Sequence, residues 1–402
     1  MLVVGLLSAV LGALVPDALA APKFQVLHAF GNGDDGAGTW GSLLLDKAGN
    51  LYGTTGGGGG TGCGGEGCGT VFELTPSGNG TWREQIIYRF NDTPDSNGPL
   101  GSVIFDAEGN LYGPTVYGGT YGYGTVFELT PGSGGWTEKV LLSFDITDGC
   151  CPRGGVAVGK GGAVYGAGGV VFKLTEESNR WTEHVLHRFG ATDGDGSDPL
   201  AVPIFDEHGN LFGTTAYGGK RCGGTDCGTV YELSPAAGGR WRERILYRFN
   251  NNGRDGRNPG GGSLTMDAEG KLYGTTVAGG RYAGVIFELA PQETGAWKET
   301  ILYEFQGGSL GFEPGGGVVR NKAGNLYGTT VYGGSPQCDC GVVYKLAPQK
   351  NGKWKYTALH TFVGTDGAQP DANLILDSKG NLYGTAATGG QYGAGVVFEV
   401  TP

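Results

Sequence analysis

Short runs of alternating apolar and polar residues recur along the whole chain, each bounded by glycine, proline or aspartate-rich turns. Alternation with period two and frequent turn signals predicts short strands. No stretch of a dozen residues carries a helical apolar period. One unit shows the pattern clearly. An inner strand is predicted from Gly101 to Phe105, followed by the tight turn Asp106-Ala107-Glu108-Gly109-Asn110 and a second strand from Leu111 to Thr115. A glycine- and tyrosine-rich loop leads to a third strand, Thr125 to Leu129, and the turn Pro131–Gly135 leads to a fourth, Trp136 to Phe144.

Seven copies of this unit follow one another. Their second strands begin at Leu51-Tyr52-Gly53, Leu111-Tyr112-Gly113, Val164-Tyr165-Gly166, Leu211-Phe212-Gly213, Leu272-Tyr273-Gly274, Leu326-Tyr327-Gly328 and Leu382-Tyr383-Gly384. A tryptophan-led fourth strand follows only six of them, starting at Trp82, Trp136, Trp181, Trp241, Trp297 and Trp354. The missing strand has a counterpart at the other end of the chain, where Phe24 to Phe30 matches Gln85 to Phe90. Four short strands per repeat, with complementary ends, predict an all-β fold: a seven-bladed β-propeller of four-stranded blades, closed by its N-terminal strand. An array of β-sandwiches is the alternative.

Composition refines this picture in three ways. Glycine accounts for 84 of 402 residues, but in register with aromatic and aliphatic residues, so it marks turns and not disorder. A net charge of −11, with no Lys/Arg cluster along the chain, argues against nucleic acid, which requires a basic stripe. Residues 1–20 read as a secretory signal, with an apolar run from Leu2 to Leu14 ahead of Ala18-Leu19-Ala20, although a basic n-region is missing. A membrane anchor or buried strand is the competing reading of that segment. The expectation is therefore one propeller domain over 21–402, secreted or periplasmic, monomeric, with no membrane span once the signal is removed.

Eight cysteines in an exported chain suggest disulfides. Cys63/Cys68 and Cys222/Cys227 close short loops at one repeat position, so local bridges are natural there. Cys150/Cys151 and Cys338/Cys340 are also expected to be oxidised, though either pair would be strained by a local bridge. Zinc is the rival ligand, but no pair has a histidine at finger-like spacing.

The motif Asp-x-x-Gly-Asn-Leu-Tyr-Gly-Thr-Thr, then Gly-Gly, then Gly-Thr-Val-Phe-Glu-Leu-Thr-Pro, resembles the GloVer (Gloeo-Verruco) tandem repeat of exported bacterial proteins. The resemblance covers essentially all of 21–402 and implies a surface or extracellular location without implying an activity. Many relatives carry a C-terminal anchoring segment. This chain ends on a strand, at Thr401-Pro402, so a soluble exported protein is expected.

Candidate chemistry is sparse. The recurrent Asp46, Asp106, Asp206, Asp267 and Asp377 fit turn capping better than a metal ring. A second acidic set lies between each outer strand and the next inner strand. Within it, Asp193-Gly194-Asp195-Gly196-Ser197-Asp198 alternates carboxylates with glycines as a calcium loop can, but lacks the twelfth-position glutamate of an EF-hand. Asp193, Asp195 and Asp198 are thus weak candidates for Ca²⁺, and no other cofactor is expected. Loop tyrosines Tyr117, Tyr121, Tyr217, Tyr282, Tyr332 and Tyr392 suit sugar or peptide contact, or else packing between blades. His28, His187 and His360 occupy one outer-strand position on separate blades and cannot meet at one metal, so a hydrolase site is hard to assemble. The third repeat has a shortened loop, and Arg153 beside Cys150 and Cys151 borders a possible cleft. These features point to a non-enzymatic binding module for carbohydrate or a surface protein. The alternatives are a cation-dependent propeller hydrolase or lyase and a purely structural repeat.

Overall fold

A computed structural model describes residues 21–31, 33–91, 96–147, 149–178, 180–192, 194–219, 227–250, 252–281 and 283–402. The expected leader, 1–20, lies outside them, as do Asp193, Cys222 and Tyr282. The described residues form seven four-stranded antiparallel sheets, the blades of a propeller. In the first blade the strands are Leu44–Leu45, Leu51–Thr55, Thr70–Gly78 and Thr81–Arg89, from the innermost outward. The seventh blade takes three strands from the C-terminal end, and Lys23–Ala29 pairs with Val396–Thr401 as its outer strand. The ring is closed by the N-terminal strand.

The repeated residues explain themselves through packing. In Leu51-Tyr52-Gly53-Thr54-Thr55 the leucine is fully buried, and the glycine is where the aromatic ring of the third strand lies. A Cβ on Gly53 would come within 2.5 Å of the Phe72 ring, and the same holds for Gly274 against Phe287 at 2.6 Å. Thr54 Oγ1 donates to the Gly101 carbonyl of the next blade at 3.0 Å. Thr275, Thr329 and Thr385 repeat this latch on Gly316, Ala372 and Gly41, the last across the ring closure. The turn aspartate is structural, as expected. Asp46 Oδ1 accepts from the amides of Ala48 and Asn50, and Gly49 adopts the left-handed φ of 93° that the turn requires.

Each outer strand ends in a phenylalanine that packs on the third-strand aromatic of the following blade. Ring centroids are 5.1 Å apart for Phe30–Phe72, 5.1 Å for Phe90–Phe127, 5.3 Å for Phe144–Phe172 and 4.8 Å for Phe189–Tyr231. The series continues with Phe249–Phe287 at 5.2 Å, Phe305–Tyr344 at 5.4 Å and Phe362–Phe398 at 5.2 Å. The outer-strand tryptophans complete the interface from the other side. Trp82 lies edge-on to Tyr383, and Trp181 to Tyr112, each on the second strand of the preceding blade. Among the described residues the core is thus seven interblade clusters and no central one, which leaves the ring axis open.

Every outer strand carries a bulge at the same place. In the first blade, Val71 pairs with Tyr88 and Phe72 with Ile86, so Ile87 is skipped. The shift recurs between Val171 and Phe172 and between Val230 and Tyr231. The skipped residues Ile87, Leu186 and Leu246 are buried. The bulge lets both the skipped aliphatic and the closing phenylalanine reach the interblade core while the residue directly after the skipped one, Tyr88 in the first blade, faces the neighbouring outer strand.

Phe30→Ala removes the one aromatic contact that joins the N-terminal strand to the first blade. Loss of a buried phenylalanine costs roughly 3–5 kcal/mol, and the expected outcome is a fall of that size in unfolding free energy by guanidinium titration. A loss below about 1 kcal/mol, at the level of an ordinary surface substitution, would show that closure does not depend on this contact.

Candidate functional site

The inner strands are preceded by equivalent positions around the axis, three residues before the first core aliphatic of six blades and before Pro203 in the fourth. These positions hold Trp40, Leu100, Arg153, Leu200, Gly261, Gly315 and Asp371, and all seven line one cavity of about 500 Å³ at the mouth of the channel. The repeat is nearly uniform elsewhere, yet here it presents an indole, two leucines, a cation, an anion and two glycines. Ser42, Ser102, Ser263 and Asn373 line the same cavity two residues further along their chains.

Several of these polar groups are held from behind. Ser42 Oγ accepts from the Asn373 amide at 3.1 Å, Ser102 Oγ accepts from the Ser42 amide at 2.9 Å, and Asn373 Oδ1 accepts from the Gly317 amide at 2.6 Å. Each bond uses an acceptor oxygen and leaves the side-chain donor hydrogens without a described protein acceptor. Trp40 is 39% exposed, so its flat ring borders the cavity. Burial, and then Glu313 nearby, holds the Asp371 carboxyl above the ordinary carboxylate range. Arg153 is exposed at the mouth, and its guanidinium favours the charged form of Asp198 against the larger opposing effect of burial.

Of the predicted loop tyrosines, Tyr117 lines the cavity and is 55% exposed. Tyr117 pairs in a short ladder with Asn97, and Tyr217 with Ser197, which places the glycine-tyrosine loops and the outer-to-inner connections on one face. Tyr121, Tyr217 and Tyr392 are exposed but do not line the cavity, and Tyr332 stacks on Phe312 with centroids 5.5 Å apart. The cleft proposed around Arg153 is part of the channel mouth, without the two cysteines at its border.

The cysteines divide into two groups. Cys63–Cys68 and Cys338–Cys340 are bridged, the latter in a triplet expected to resist a local bridge. Cys227 is also disulfide-bonded. Cys150 and Cys151 are not bridged, which corrects the expectation of oxidation there. Their amides are committed to different segments, Cys150 to the Gly168 carbonyl and Cys151 to that of Tyr123, with φ at Cys151 of 54°. Burial first, then its neighbour Cys151, pushes the Cys150 thiol up to about 11, so it stays protonated at neutral pH.

Of the three candidate calcium ligands, Asp193 lies outside the described residues and the other two face different ways. Asp198 lies toward Arg153, whereas Asp195 turns to the outer strands and meets His187 and Glu243. His28 likewise gathers Asp35 and Glu84. The histidines do not meet one another, as expected, but two of them collect carboxylates from a neighbouring strand and loop. A tyrosine fills the same place between the fourth and fifth blades, where the Tyr247 hydroxyl lies 3.0 Å from Asp255 Oδ2 and 2.9 Å from Glu299 Oε2, within hydrogen-bond reach of both.

Three consecutive matches to the Gloeobacter/Verrucomicrobia repeat cover residues 10–168, 167–315 and 282–402. The chain belongs to this repeat family. Among solved structures it is similar to the extracellular domain of a candidate hybrid two-component system from B. thetaiotaomicron, with a TM-score of 0.56 and 14% identity over 95% of this chain. The match spans 41% of that longer chain. It is also similar to a candidate 6-phosphogluconolactonase from Bacteroides uniformis, with a TM-score of 0.52 and 14% identity over 81% of this chain and 87% of that one. At such identity these likenesses show the propeller fold alone. A comparison with curated proteins finds no match. Among the described residues of this repeat protein, no helix is long and apolar enough to cross a membrane.

The Tyr247 junction generates a pH prediction. Burial, reinforced by Asp255, raises the Glu299 carboxyl above its ordinary 4.5. The folded state therefore holds this proton more tightly than the unfolded state, and stability falls as pH rises above the ordinary value. Glu299→Gln should flatten this decline by an amount on the order of 1–2 kcal/mol, measured as denaturation midpoints at about pH 5 and pH 8. An unchanged pH slope in the variant would count against a buried, protonated Glu299.

Proposed function

We propose that this chain is an exported binding module whose ligand is a carbohydrate, held at the channel mouth. The observation that carries the reading is the ring of seven equivalent positions. Side chains that only close a propeller have reason to repeat, and these are the ones that differ. The set is also chemically apt. Trp40 offers a flat apolar face to the C–H side of a sugar ring, and the serines and Asn373 offer donors anchored from behind. Arg153 and Asp371 can bracket hydroxyl groups from opposite sides of the ring sequence. A cavity of about 500 Å³ falls within the usual range for small-ligand sites.

Export is supported by the Cys63–Cys68 bridge, which suits an oxidising compartment. One of the fold's solved neighbours is itself an extracellular domain. A binding role is favoured over hydrolysis because the two histidine–carboxylate clusters sit between outer strands, away from the residues lining the cavity.

A glycan array followed by calorimetry tests the reading. A hit whose affinity falls at least tenfold in Trp40→Ala, and also falls in Asp371→Asn, is the expected result. Full retention of binding by both variants, with loss on Tyr121→Ala or Tyr392→Ala, would move the site to the loop rim. An array without hits would refute a carbohydrate ligand.

A further inference from the structure

Four junctions between neighbouring outer strands share one design and differ in the aromatic residue or in the residue that faces it from the next blade. The first strand supplies an aromatic position just after the bulge, the loop beyond it supplies an aspartate, and the next blade supplies a residue two positions after its outer-strand tryptophan or that residue's counterpart. Between the fourth and fifth blades these are Tyr247, Asp255 and Glu299, and the tyrosine hydroxyl reaches both carboxylates within 3.0 Å. Between the sixth and seventh they are His360, Asp366 and Phe24. There the imidazole stacks on the phenylalanine, and its Nε2 bonds the single carboxylate at 2.9 Å.

The two remaining junctions combine the histidine with both carboxylates, and there the contacts open. His28 Nε2 lies 3.6 Å from Asp35 Oδ2 and 3.7 Å from Glu84 Oε1, and His187 Nε2 lies 3.5 Å from Asp195 Oδ2. These distances exceed a hydrogen bond. The buried atoms His28 Nε2, Glu84 Oε1, His187 Nε2, Asp195 Oδ1 and Glu243 Oε1 have no hydrogen-bond partner. Asp195 makes this most acute, since its side chain is only 4% exposed while Oδ1 goes unpaired. His360 shows that this position can close on a carboxylate. Carboxylate oxygens also go unpaired at the Tyr247 junction, Asp255 Oδ1 and Glu299 Oε1, but among the described residues an unpaired imidazole nitrogen arises only where one imidazole faces two carboxylates.

From this geometry we infer that His28–Asp35–Glu84 and His187–Asp195–Glu243 are two equivalent sites for a zinc-class divalent cation, each clamping two neighbouring blades together. In each cluster the three donor atoms lie within 4.8 Å of one another. Ligands at about 2.0–2.1 Å in a tetrahedron sit about 3.3 Å apart, so only small side-chain movements are needed to close on an ion. Two carboxylates and a neutral imidazole balance a double positive charge and leave a fourth position for water. The nitrogen donor and the small number of oxygens favour zinc over calcium. The supporting contacts also match. Arg89 donates to the Asp34 carbonyl and Arg248 to that of Gly194, each fixing the loop beside the ligand aspartate. The Gly31 and Gly190 amides donate to Oδ2 of Asp35 and Asp195.

The test is zinc titration of the chelator-washed full chain, followed by calorimetry and elemental analysis, with melting temperature recorded with and without zinc. Two zinc ions per chain and an upward melting shift reversed by chelator are expected. His28→Tyr and His187→Tyr install the side chain that the Tyr247 junction already accommodates, so each should bind one ion fewer, and the double variant neither. If a tyrosine variant fails to fold, Glu84→Gln and Glu243→Gln should each weaken one site at least tenfold. The inference is overturned by no zinc binding or by a preference for calcium. It is equally overturned by a stoichiometry that the double variant, or both glutamine variants, leave unchanged, as zinc held by Cys150 and Cys151 would produce.

Discussion

The propeller depends on one contact made seven times, in which the phenylalanine closing each outer strand packs on an aromatic ring of the next blade. That second ring rests over a second-strand glycine, where a Cβ would come within van der Waals exclusion. Because each blade presents one ring to its predecessor and one to its successor, no blade buries its faces alone. The smallest unit that satisfies every blade is the closed circle. This is why the N-terminal strand lies beside the C-terminal one: Phe30 supplies the ring that Phe72 would otherwise lack. Hydrogen bonds from Thr54, Thr275, Thr329 and Thr385 to the adjoining blade add direction to contacts that packing alone leaves unspecific.

The same economy separates structure from chemistry. Positions that face a neighbouring blade are constrained to repeat, because every interface is a copy of the others. Positions facing the axis meet open space, and there the repeat relaxes into Trp40, Leu100, Arg153, Leu200, Gly261, Gly315 and Asp371. The outer-strand junctions are a second place where the interface tolerates variation. The bulge points one side chain per blade at its neighbour's outer strand, and changing a tyrosine to a histidine there shortens the reach of the polar atom without disturbing the buried residues on either side. One scaffold thus yields a closed hydrogen-bonded junction at Tyr247, a direct histidine–carboxylate hydrogen bond at His360 and an open cluster at His187.

Much of this was legible before the tertiary structure. Seven copies of Leu-Tyr-Gly, six tryptophan-led strands and the unmatched Phe24–Phe30 segment dictate the blade count and the closing strand, because strand number and complementarity are properties of the repeat itself. The turn aspartates were legible for a related reason: Asp46 and Asn50 interact within one turn. The variable axial positions were also within reach of an alignment of the repeats. Their common role was hidden by their dissimilarity, since a tryptophan, an arginine and a glycine share no local signal.

Tertiary structure decided what depends on two blades at once. Asp195 and Asp198 are neighbours in sequence, yet one turns to His187 and the other toward Arg153, and only the placement of the adjoining blade sends them apart. Tyr117 and Tyr217 occupy one repeat position, yet only the first borders the channel. The bulge that aims the histidines leaves no mark in composition, and the commitments of the Cys150 and Cys151 amides come from segments far along the chain. The sequence by itself determined the repeat, its closure and its local turns, because those follow from short-range periodicity. Which side chains face each other across a blade boundary was settled by the ring, because only closure brings them within a bond length of contact.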